Sequence, residues 1–155
     1  MSATTLTISS FSHPWALEKA QSLPNTGQLE IQGNYCYLKV DDAYIHELYP
    51  LFTERFQIEK PDYFKPPHDI GAHISIIYPE ENILPNEKFQ QQVYSFQVTS
   101  LIKADYSQST YYGCAIHAPS LAAVRNQHGL HSKPTFKQHR IVFHITVGVS
   151  KLPDR

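Results

Sequence analysis

Two short stretches of the chain share a pattern that could move protons at phosphorus. His73-Ile74-Ser75 and His144-Ile145-Thr146 each place a hydroxyl residue two positions after a histidine. Both lie in runs rich in β-branched and aromatic residues, AHISIIY at 72–78 and RIVFHITVGVS at 140–150, so both are expected on strands. Side chains alternate between the two faces of a strand. His73 and Ser75 would therefore share one face, with Ile74 and Ile76 on the other. His144 and Thr146 would likewise stand opposite Ile145 and Val147. A neutral imidazole can take a proton from an attacking oxygen, and a protonated one can give a proton to a leaving oxygen. Two imidazoles suffice for both transfers without a metal. Ser75 and Thr146 could donate hydrogen bonds to the non-bridging oxygens as phosphorus becomes five-coordinate. One such motif is a weak signal, because a lone strand histidine is usually structural or exposed; two at equivalent places are far more specific.

The elements that must position these motifs can be read from the same sequence. Residues 1–28, rich in Ser, Thr, Pro and Asn and without a sustained period, read as an N-terminal arm with a helical turn after Pro14. LEIQGNYCYLKV, residues 29–40, reads as a strand. Asp41 and Asp42 can cap a helix over AYIHELYPLFTERF, which Pro50 should kink or end early. A Pro-broken loop at 60–71 leads to the first motif. SFQVTSLIKADY (95–106) and STYYGCAIHA (109–118) read as two strands, followed by a helix over SLAAVRNQHGL closed by Gly129, and then by the second motif strand. The expected order is β-α-β, a loop, then β-β-α-β, nearly one unit twice. A local echo agrees: residues 68–75 (HDIGAHIS) and 139–146 (HRIVFHIT) align without a gap, 71 residues apart. Two similar lobes, together one domain over residues 29–155, would set the motifs facing each other across a cleft.

On these motifs and this order of elements, the chain resembles the 2H phosphoesterase superfamily, which includes RNA 2′,3′-cyclic phosphodiesterases and 2′-5′ RNA ligase-like proteins. The resemblance covers roughly residues 29–150. It implies a bilobal α+β fold with two antiparallel sheets, helices outside and a central cleft. It also implies that His73 and His144 are the catalytic pair and that Ser75 and Thr146 are the phosphate ligands. The expected activity is metal-independent hydrolysis of a cyclic phosphodiester or of an RNA end: a 2′,3′-cyclic phosphate, a 2′-5′ linkage or a cyclic oligonucleotide. The alternative is a module with the same cleft that binds RNA or a nucleotide and turns over nothing.

A metal site is the competing reading. His68 and His139 each lie an odd number of residues before His73 and His144, so on continuous strands they would point away from them. No carboxylate or cysteine stands at ligand spacing, and no metal or other cofactor is expected. His13, His46, His117, His128 and His131 read as surface or capping residues. Tyr37, Tyr78 and Tyr112 lie in or beside strands and could stack a base, as could Tyr111, although core packing is the ordinary role of a tyrosine. Cys36 and Cys114, in apolar runs, read as buried thiols, and two cysteines suit a reducing, cytoplasmic setting.

The net charge of −1 hides an asymmetry. Residues 1–100 hold 6 Lys+Arg against 12 Asp+Glu, and residues 101–155 hold 7 against 2. The positive part, with Lys133, Lys137 and Arg140 before the second motif, could help hold an anion, or the two parts could simply attract each other. No stretch is apolar for the roughly 18 residues of a membrane span, and residues 1–15 carry no secretory pattern. A monomer acting on an RNA end or a small nucleotide, away from membranes, is expected.

Overall fold

The computed structural model of the protein describes residues 5–61 and 70–151. His68 and most of the Pro-broken loop lie outside the described residues. The predicted strand at 29–40 is a hairpin, β2 (Thr26–Gln32) and β3 (Tyr35–Lys39), because Gly33 turns the chain at φ +62. The predicted helix after Asp42 is two short pieces, α2 (Ala43–His46) and α3 (Tyr49–Thr53). Pro50 sits in the first turn of α3, where its missing N–H costs nothing. The first motif follows on β4 (His73–Ile77).

The second half repeats this path. β6 (Gln97–Tyr106) and β7 (Ser109–His117) form a hairpin, α4 (Pro119–Gln127) follows, and β10 (His144–Lys151) carries the second motif. β10 begins later than the predicted 140. His139–Arg140 is instead the short strand β9, paired with β8 (Thr135–Phe136) across Lys137 and Gln138, both at positive φ.

Of the expected N-terminal arm, residues 5–28 are described, and they pack on the sheet. β1 (Leu6–Phe11) pairs along its whole length with β6, α1 (Pro14–Ser22) buries Ala16 and Ala20, and β2 starts at Thr26. No period was legible there because β1 is an edge strand whose four middle residues are all exposed. The imidazole of His13 caps α1, accepting from the Ala16 N–H at 3.2 Å.

The fold is α+β. Eight strands form one antiparallel arrangement in the order β1-β6-β7-β10-β4-β3-β2-β5, where β5 is Val93–Ser95. The two expected sheets are its halves, β5-β2-β3-β4 and β10-β7-β6-β1. They join between β10 and β4 at Ile145 and Ile74, so both motif strands are central. α2 and α3 of the first half pack on β10 of the second, and α4 of the second packs on β4 and β5 of the first. Each half thus covers the other. Leu29, Leu38, Leu48, Phe52, Ile74, Ile76, Leu121, Ile145 and Val147 lie in the shared core. Burying such side chains contributes about 1.5–3 kcal/mol each.

Candidate active site

Strand alternation does what the spacing implies. Ile74, Ile76, Ile145 and Val147 are fully buried, while His73, Ser75, His144 and Thr146 all line one cleft of about 1070 Å³. The two rings are held alike. Nδ1 of His73 donates to the Gly71 carbonyl at 2.8 Å, and Nδ1 of His144 donates to the Val142 carbonyl at 2.9 Å. A carbonyl only accepts, so each Nδ1 carries the proton, and in the neutral ring Nε2 carries the lone pair.

The approach to His73 is braced. The Ala72 N–H donates to the Asp42 carboxylate at 3.0 Å, Lys39 pairs with the same oxygen at 2.7 Å, and Lys39 also reaches the Ala72 carbonyl. Gly71 sits at φ +82, where a Cβ would strike the Asp42 carboxylate, so only glycine fits.

Burial holds the His73 pKa down to about 4; the Gly71 bond opposes this, and the nearby charges of His144 and Lys39 add to it. His144 is also pushed below the ordinary histidine range, first by burial, against the opposing bond to Val142. The free protein therefore holds two neutral imidazoles near pH 7. An anion between them would favour protonating one, because each ring's charge disfavours the other's.

The aromatic candidates divide. Tyr78 lines the cleft, 5.4 Å from the ring of Phe136. Tyr112 lines it too, but one face of its ring is stacked on Phe56 at 4.3 Å. Tyr37, expected as a stacking residue, is only 4 % exposed and is not among the cleft's lining. It packs beneath Tyr35 at 5.1 Å and edge-on to His73 at 5.5 Å, and its hydroxyl accepts from Gln32. Tyr35 was not singled out in the sequence. Its hydroxyl lies 2.6 Å from Ser75 Oγ, and it lines the cleft with Phe56, Tyr111 and Phe136.

Lys133, Lys137 and Arg140 do not line the cleft, whereas Lys60 does. Lys137 lies over the rings of Tyr106 and Phe136. The wall carrying Tyr78 and Phe136 is fastened by the fully buried Arg125, which pairs with both oxygens of Glu81 at 2.8 and 2.6 Å. Glu81 also accepts from the N–H groups of Tyr78 and Thr135, and Glu80 accepts from those of Lys137 and Gln138.

Among the described residues, no three His, Cys, Asp or Glu side chains converge as metal ligands. His128 is a structural linker, accepting from the Asn86 N–H and donating to Val124. Cys36 and Cys114 are buried free thiols, as their apolar runs suggested. No helix among the described residues is long and apolar enough to cross a membrane.

The family model of the Swiss Army Knife 2H phosphoesterase domain matches residues 36–153, most of the chain and both motifs. The chain belongs to the 2H phosphoesterase superfamily. No curated protein and no solved structure is significantly similar to it. As a 2H phosphoesterase domain, it has a phosphoesterase-type function. Its match begins inside β3, so β1, α1 and β2 flank the matched part of the 2H domain and complete its sheet.

Proposed function

We propose that this 2H domain is a metal-independent phosphodiesterase acting on cyclic phosphodiesters or RNA ends, with His73 and His144 as the catalytic pair. The observation that carries this reading is the matched pair of rings: both open into one cleft, and both present Nε2 because Nδ1 is committed to the carbonyl two residues earlier. One neutral Nε2 takes a proton from water as its oxygen bonds to phosphorus. The other imidazole, protonated once the anionic phosphate is bound, passes its proton to the departing sugar oxygen as that P–O bond breaks. Exchange with solvent resets the pair. Ser75 and Thr146 donate to the non-bridging oxygens, and Tyr78, which lines the cleft, stacks a base.

The test is turnover of a 2′,3′-cyclic nucleotide, a 2′-5′ dinucleotide and a cyclic dinucleotide in EDTA, by the wild type and by His73→Ala and His144→Ala. Turnover of at least one substrate in chelator, lost by about 10²- to 10⁴-fold in each variant, is the expected result. Activity that vanishes in EDTA and returns with zinc or manganese overturns the mechanism. Nucleotide binding without turnover makes the protein a binding module instead.

A further inference from the structure

The two halves of the cleft are built alike but finished differently. On β4, the cross-strand neighbour of Ser75 is Tyr37; on β10, the cross-strand neighbour of Thr146 is Gly113. Two residues before Tyr37 stands Tyr35, and two residues before Gly113 stands Tyr111. These equivalent phenols do different things. The Tyr35 hydroxyl lies 2.6 Å from Ser75 Oγ, whereas the Tyr111 ring packs edge-on against Phe136 at 5.9 Å. Among the described residues, Thr146 has no phenol partner of this kind.

The geometry points to Tyr35 as a positioning residue for the proposed phosphodiester reaction, holding Ser75 so that its hydroxyl hydrogen is turned toward the phosphoryl oxygen. Three observations carry this. The Tyr35 ring is fixed, stacked on Tyr37 at 5.1 Å and flanked by Tyr78 at 6.4 Å, so its hydroxyl has little freedom. A phenol is a stronger hydrogen-bond donor than an aliphatic alcohol, so in the proposed arrangement Tyr35 donates across the 2.6 Å contact and Ser75 accepts. That leaves the one serine hydrogen for a ligand. A donor feeding Ser75 also polarises it and strengthens its own outgoing bond. Burial lifts the Tyr35 hydroxyl to about pKa 12, so it stays a neutral donor throughout the range in which the histidines titrate. Ser75 is in effect pre-set, while Thr146, beside a glycine, is not.

This inference rests on the proposed reaction, and a double-mutant cycle tests it with two readouts. Tyr35→Phe keeps the ring and its stacking but removes the donor. Turnover of a 2′,3′-cyclic nucleotide and binding of inorganic phosphate are measured for the wild type, Tyr35→Phe, Ser75→Ala and the double variant. Tyr35→Phe is expected to lower kcat/KM about 5- to 20-fold, the scale of one lost hydrogen bond near a charge. Phosphate binding is expected to weaken in parallel. In the Ser75→Ala background the same substitution should change neither readout. An equal loss in both backgrounds, or no loss in either, overturns the proposal. If the wild type binds phosphate but turns over no phosphodiester, the reaction assignment fails while the binding cycle still decides the role of Tyr35. A wild type that does neither overturns both.

Discussion

Ile74 and Ile145 are cross-strand partners, and they are the pair at which the two halves of the sheet join. His73 and Ser75 flank Ile74, and His144 and Thr146 flank Ile145, so this one pairing brings the two motifs side by side. All four motif side chains line the same cleft. Both isoleucines are fully buried between the lobes. Ile145→Val should cost about 1 kcal/mol of stability and leave turnover near wild type, whereas Ile145→Ala should cost about 2–5 kcal/mol. Chemical denaturation of both variants checks this; equal, negligible losses would mean that the join is not packed as described.

Stability should fall with acid in a way traceable to His73. Its folded pKa of about 4 lies below the ordinary 6.5, so between those values the unfolded chain binds the proton more readily. The stability contributed by keeping this ring neutral is complete above about pH 6.5. It is lost as pH falls toward 4, on the order of 3 kcal/mol in all. Melting temperature followed from pH 7.5 to 4 should decline in the wild type and decline less steeply in His73→Gln. Parallel curves would contradict the burial argument.

Gly113 should be intolerant of any side chain. A Cβ there would collide with the Ile145 carbonyl and crowd the Thr146 backbone, both parts of β10 that cannot give independently. Gly113→Ala is expected to cost about 1–3 kcal/mol and, by displacing Thr146, to lower turnover at least tenfold. Gly33→Ala, in an open turn at φ +62, is the control and should cost about 1 kcal/mol with activity retained. Equal behaviour of the two variants in melting and turnover assays would reject the close approach.

Removing one member of the Arg125–Glu81 pair should be worse than removing both. Arg125→Ala leaves a carboxylate buried without its cation, and the expected cost is about 3–5 kcal/mol. In Arg125→Met with Glu81→Leu, no charge is stranded, though the N–H groups of Tyr78 and Thr135 lose their acceptor. The double variant should recover part of the loss in urea midpoint. A double variant less stable than Arg125→Ala would show that the backbone bonds to Glu81 matter more than the charge pair.

Much of the site was legible in the chain because a strand imposes its own geometry. Two-residue alternation is a local rule, so His73 with Ser75 and His144 with Thr146 could be assigned to shared faces, and the isoleucines between them to the core, without knowing the fold. The helix after Asp42 was legible as well, and it breaks at Glu47-Leu48, just ahead of Pro50 in the first turn of α3. β1 was not legible, since an edge strand exposed along its middle carries no apolar period to read. Nor was the split of residues 29–40 into a hairpin drawn, although Gly33-Asn34 marks the turn.

By itself, then, the sequence determined which residue types meet on each motif strand and that the pattern occurs twice. Tertiary structure decided what those strands face. Only the joining of β4 to β10 brings the two motifs into one cleft, since a pairing between residues 71 apart follows from packing and not from local pattern. The same holds for Tyr35 and Tyr37, two tyrosines of one strand. One reaches Ser75 at the cleft and the other is buried beneath it, because ring stacking and the irregular register between β3 and β4 set their depths. Composition and alternation are identical for both, so no reading of the chain alone could have told them apart.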